Sequence, residues 1–99
     1  MKFDKLVEII KSVATEQGYE ITDGERKFQV FIDNYNAVAF EILANSSSGY
    51  IQIHQWESGE AEGEGKYGRG VYSLRNYSDV INFCNIMMAS AAIRARRRT

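Results

Sequence analysis

His54 is the only histidine of the chain and Cys84 its only cysteine. One imidazole excludes a His pair, a His-rich metal site and a relay between two rings. A Cys–His nucleophile requires the two side chains to meet, so that the ring can take the thiol proton. The local patterns oppose that meeting. Cys84 falls on the apolar side of a helical segment, as a small core residue does, and His54 on the polar side of an alternating one, as a surface or interface residue does. A lone cysteine also forms no internal disulfide and no cysteine-rich zinc site, which fits a reducing compartment.

Glu57, Glu60, Glu62 and Glu64 place four carboxylates within eight residues, oxygen donors of the kind that hold Ca²⁺ or Mg²⁺. Their spacing is not that of an EF-hand loop. Catalytic carboxylates need a rigid surrounding shell, and the glycines between these supply none. The expectation is therefore a solvated acidic surface with no catalytic set, no metal and no cofactor. Gly63-Glu64-Gly65-Lys66-Tyr67-Gly68 has the glycine spacing of a dinucleotide-binding loop. That loop works by joining a strand directly to a helix N-terminus that meets the pyrophosphate. Here a strand-like Val71 to Leu74 follows, and the neighbouring glutamates repel phosphate, so the match is read as accidental.

The elements that must position these residues follow from periodicity. Phe3 to Gln17 puts Phe3, Leu6, Val7, Ile10, Val13 and Ala14 at helical spacing, and Gly18 suits a left-handed C-cap. From Tyr19 the period becomes two. Tyr19–Thr22, Lys27–Asp33, Ala37–Asn45 and Tyr50–Glu57 read as strands, with Asp23-Gly24 as a hairpin turn whose residues tolerate positive φ. In the last of these, Ile51 and Ile53 share the core side, while Tyr50, Gln52, His54 and Trp56 share the other. Ser58 to Gly70 contains five of the eight glycines and is expected to be an exposed, mobile loop. A short strand over Val71–Leu74 precedes Asn76-Tyr77-Ser78-Asp79, a helix-capping sequence. A second helix then runs to about Arg96, with Val80, Ile81, Cys84, Met87, Met88, Ala91 and Ala92 as its apolar stripe. Ninety-nine residues, 44% of them apolar, suffice for one modest core. The expected architecture is a single two-layer α+β domain: an N-terminal helix, a four- to five-stranded antiparallel meander sheet and a C-terminal helix, both helices on one sheet face.

Charge is distributed unevenly along this order. Residues 1 to 65 carry five basic and twelve acidic side chains, and residues 66 to 99 carry seven basic and one acidic, for a net charge of −1. Such a balance excludes a uniformly basic nucleic-acid binder. The absence of a long apolar run and of an apolar leader after Met1-Lys2-Phe3-Asp4 gives the expectation of a cytoplasmic protein without membrane partners. With no catalytic set, the leading expectation is a non-catalytic binding protein whose partner, a protein or a protein–nucleic acid complex, meets Trp56, Glu57, Glu60, Glu62, Glu64 and Tyr67. Small size, an acidic N-terminal two-thirds and the helix, meander, helix order resemble the small inhibitors carried by phages and mobile elements, anti-CRISPR proteins among them, and bacterial immunity proteins. The resemblance implies action by surface occlusion, lies in these gross features rather than in a motif, and transfers no residue. The alternative is a small nucleic-acid-binding accessory protein using Lys66, Arg69, Arg75 and the basic C-terminal end, Arg94, Arg96, Arg97 and Arg98, against phosphates. A homo-oligomer is compatible with either reading, because a small sheet leaves edges and an open face to cover.

Overall fold

A computed structural model of the chain describes residues 4–33, 38–44, 49–60 and 64–97, with side chains as far as Ala89. The elements run α1 (Asp4–Glu16), β1 (Glu20–Ile21), β2 (Lys27–Asp33), β3 (Val38–Leu43), β4 (Ile51–Ser58), β5 (Gly65–Leu74) and α2 (Tyr77–Arg97). The five strands pair in sequence order, each antiparallel to the next. This is the expected α+β fold with a meander sheet. Neither helix is long and apolar enough, over the described residues, to cross a membrane.

Both helices lie on one face because their apolar stripes and the alternate residues of the strands have only each other to bury against. Leu6, Val7, Ile10 and Ala14 of α1 meet Val80, Phe83, Cys84 and Met87 of α2 over Phe28, Val30, Ile32, Phe40, Ile42, Ile51 and Ile53 of the sheet. The helix ends are fixed by local chemistry. Gly18 takes φ 78°, its N–H donates to Thr15 O at 3.0 Å and that of Tyr19 to Ala14 O at 3.0 Å, the paired bonds of a Schellman motif. Asn76 Oδ1 accepts from Asp79 N–H at 3.0 Å and Asp79 Oδ2 from Arg75 N–H at 2.9 Å, so a side chain caps one donor of the first turn of α2 and the chain entering it is held in return. Two bonds tie the layers together: Lys11 Nζ donates to Gly24 O at 2.6 Å, and the Tyr19 hydroxyl to Met87 O at 2.9 Å.

Three expectations are corrected. The stretch expected to be loop over Ser58–Gly70 is largely strand: β4 reaches Ser58 and β5 begins at Gly65, so the connection shrinks to residues 59–64 and is closed by Gly59 N–H donating to Glu64 O at 2.8 Å. Gly65 and Gly68 serve close packing within a strand rather than looseness. At Asp23-Gly24, Gly24 is not among the positive-φ glycines. A side chain there would run into the Lys27 carbonyl, so space rather than backbone sign requires glycine. Among the described side chains of α2 the buried stripe is Val80, Phe83, Cys84 and Met87, at i, i+3, i+4 and i+7, whereas Ile81 is 54% and Met88 39% exposed; Ala91 and Ala92 of the expected stripe lie outside the described side chains. Phe83, absent from the expected stripe, is 1% exposed and packs edge-on against Phe40 at 5.5 Å and tilted against Tyr72 at 5.8 Å.

Phe83→Ala is accordingly expected to cost about 3–5 kcal/mol, and Ile81→Ala under about 1 kcal/mol. Urea unfolding of the two variants measures both; equal losses would place the buried face of α2 wrongly.

Candidate functional site

Burying Ile51 and Ile53 turns Gln52, His54 and Trp56 to the sheet face that carries no helix. Register extends this face across the molecule. Gln29 stands opposite Glu41, Glu41 opposite His54, and His54 opposite Gly70, with Thr22 bonded to Gln29 at the other side. The result is a polar row across the strands. The Thr22 hydroxyl donates to Gln29 Oε1 at 2.7 Å, and Gln29 Nε2 to Glu41 Oε2 at 2.9 Å. His54 does not turn to Glu41. Its Nδ1 lies 2.7 Å from Gly68 O and, facing a carbonyl, must donate. Its Nε2 lies 3.1 Å from Gln52 Oε1, and Gln52 can serve either protonation state of the ring by turning its amide. Gln52 continues to the Tyr50 hydroxyl at 3.3 Å, and the Arg75 guanidinium sits 5.0 Å over the Tyr50 ring.

Beside this row the β4–β5 hairpin outruns the rest of the sheet. The β3–β4 ladder ends at Phe40 and Gln55, whereas Trp56, Glu57 and Ser58 still pair with Tyr67, Lys66 and Gly65. A two-stranded arm needs side-chain packing of its own to hold together. Trp56 and Tyr67 supply it as an edge-to-face pair with centroids 5.1 Å apart. The glycines make room for the β4 side chains: a Cβ at Gly65 would strike the Trp56 ring, one at Gly68 the Glu57 carboxylate, while one at Gly70 would only touch His54 at 3.8 Å. Burial, reinforced by the Glu41 carboxylate, raises the Tyr67 phenol above its ordinary value. Tyr67 therefore stands in the field of Glu41 as well as against Trp56.

Of the residues expected at a partner surface, Trp56 and Tyr67 are brought into contact, and Glu57 lies on the same hairpin opposite Lys66. Glu60 and Glu64 are exposed at its turn; Glu62 lies outside the described residues. The basic set is strung out instead. Lys66 and Arg69 are exposed along β5, Arg75 follows the strand, Arg94, Arg96 and Arg97 belong to the last turns of α2, and Arg98 lies outside the described residues. Glu41 and Gln29 escape the sequence reading. Alternation puts each on the uncovered face, but only the strand register reveals that they adjoin His54.

Cys84 sits in the core on the helix side, where burial raises its thiol above the ordinary value, and the sheet separates it from His54. Among the described residues no three His, Cys, Asp or Glu side chains gather as metal ligands would. Gly65 and Gly68 belong to a strand, not to a loop opening a helix, so the apparent dinucleotide fingerprint lacks its geometry. On the opposite side of the molecule, Lys5, Glu8, Ile9, Ser12, Val13 and Tyr77 line a wide, shallow groove without a converging polar set. In comparisons with protein-family models, curated proteins and solved structures, the chain matches none of them.

Glu41→Gln is expected to lower the Tyr67 pKa without restoring it fully, because burial is the larger cause. Since the folded state holds this proton more tightly than the unfolded chain, Tyr67 contributes a loss of stability only as pH rises above about 10. An NMR titration of the tyrosine ring carbons reads the shift. Gly65→Ala is expected to cost about 1–3 kcal/mol through displacement of Trp56, and Gly70→Ala much less; thermal unfolding compares them.

Proposed function

We propose that this chain is a non-catalytic binding protein that occludes the surface of a macromolecular partner with its uncovered sheet face and the β4–β5 arm. The observation that carries this reading is the Trp56–Tyr67 pair, held on a face that no helix covers and on a hairpin whose turn bears the exposed Glu60 and Glu64. Rigid aromatics bury large area at little entropic cost and commonly anchor interfaces. Size argues for using the arm as well. Five strands about 4.8 Å apart and about 20 Å long present roughly 500 Å², short of the roughly 800 Å² per partner of a stable complex, and the hairpin supplies the difference. Glu57, Glu60, Glu62 and Glu64 would then meet a basic surface, in the manner of inhibitors that cover a site made for phosphates. A phage- or mobile-element inhibitor, or an immunity protein, working in the cytoplasm would act in this way.

The nucleic-acid reading draws on Arg75 over Tyr50 and on exposed Lys66 and Arg69, but the carboxylates beside them repel phosphates. Occlusion is expected to weaken by about tenfold or more in a Glu60→Ala, Glu62→Ala, Glu64→Ala triple variant and in Trp56→Ala. The measurement is capture of the partner from native lysate, followed by titration of the purified pair. Equal capture by the triple variant removes the role of the carboxylates, and a low-salt shift of single-stranded RNA or DNA would favour the alternative.

A further inference from the structure

Glu41 differs from the other carboxylates near the hairpin. It is half-buried at the middle of the sheet face, whereas Glu57, Glu60 and Glu64 are exposed. Its Oε2 accepts from the neutral amide of Gln29 at 2.9 Å, and among the described residues it forms no ion pair, exposed Lys27 standing diagonal to it across the β2–β3 pair. Its cross-strand neighbour His54 directs both ring nitrogens elsewhere, to Gly68 O and Gln52 Oε1. A partly desolvated carboxylate with a neutral donor and spare lone pairs attracts a cation strongly, because less solvent screening weakens the pull.

The surroundings select which cation. Trp56 lies two residues beyond His54 on the same face of β4, diagonal to Glu41 and within reach of long side chains. Tyr67 packs against Trp56 and stands close enough for the Glu41 charge to oppose its ionisation. A carboxylate beside two aromatic rings suits a planar guanidinium, which can hydrogen-bond the oxygens and lie against a ring face at once; an ammonium does the first without the second geometry. We propose that Glu41, walled by Trp56 and Tyr67, receives an arginine side chain of the protein partner. This deepens the occlusion reading and rests on it for the identity of the donor as a protein, while the cation site itself stands on the sheet face alone.

Trp56 is the only tryptophan, so its emission reports on this wall without labelling. The intact chain is titrated with a short peptide, capped at both ends, that carries one arginine, and with matched peptides carrying citrulline or lysine; free arginine is run beside them. The capped arginine peptide is expected to change Trp56 emission saturably and to shift the backbone amides of Glu41, His54 and Tyr67. Citrulline, neutral but of the same shape, should leave both unchanged, and lysine should bind more weakly. Glu41→Gln, which keeps the Gln29 contact possible, should weaken the arginine response about tenfold or more. An equal response to citrulline, or no saturable change by either readout, overturns the proposal, and both tests use the unaltered chain. Free arginine binding better than the capped peptide also overturns it, by pointing to a small-molecule ligand. If the triple glutamate variant loses its partner while the arginine peptide is ignored, the occlusion reading survives without this site. If the peptide binds and partner capture is unaffected, the reverse holds.

Discussion

The pleat of β4 fixes what this molecule can present to others. Ile51 and Ile53 must point toward the helices, and the alternate residues Gln52, His54 and Trp56 are thereby sent the other way. A slip of one residue would bury His54 and Trp56 and expose two isoleucines, so the core specifies the composition of the outer face without touching it. The same pleat places Cys84 and His54 on opposite sides of the sheet, which keeps the one thiol from the one imidazole. What is left is a face of amides, carboxylate, imidazole and aromatics, on which side-chain hydrogen bonds join Thr22, Gln29 and Glu41 in one set and Tyr50, Gln52 and His54 in another.

The sheet edges direct contacts toward that face. β1 is only two residues long, too short to template another strand. β5 is long, but its register against β4 shifts twice, between Ile53 and His54 and again between His54 and Trp56. The extra residues fall on β5, around Val71 and around Gly68-Arg69, where they break the even sequence of unpaired donors and acceptors and increase the twist. Lys66 and Arg69 add charge to the same edge. Association by adding strands is therefore disfavoured at both sides, whereas nothing among the described residues covers the face.

Much of this fold is legible in the residues. The change from a period of 3.6 to 2 at Tyr19 and the glycine after the first helix each have one strong local meaning, and each is realised; of the two capping residues before the second helix, Asn76 is the one that caps. Val71–Leu74 was legible as the last strand, but its extension back to Gly65 was not, because glycine content ordinarily speaks for loops; here Gly65 and Gly68 answer to Trp56 and Glu57, residues from the facing strand whose approach no local window contains. The face of the second helix was ambiguous for a different reason. Val80, Ile81, Phe83, Cys84, Met87 and Met88 crowd more apolar residues into two turns than one stripe can hold, and the space between Phe40 and Tyr72 selects Phe83 over Ile81. The candidate surface was half visible: Trp56 and Tyr67 stand out by type, but Glu41 acquires meaning only through its cross-strand neighbours.

The hydrogen bond from Tyr19 to Met87 joins residues 68 apart in sequence, and α1 packs on α2 over a similar span. The first and last elements thus close the core together. On the ribosome, the apolar side of the meander would emerge well before the helix that shelters Phe40 and Ile53, leaving greasy strands bare during elongation. A nascent chain of this kind offers chaperones a brief target, and its final compaction waits on release of the last helix from the exit tunnel.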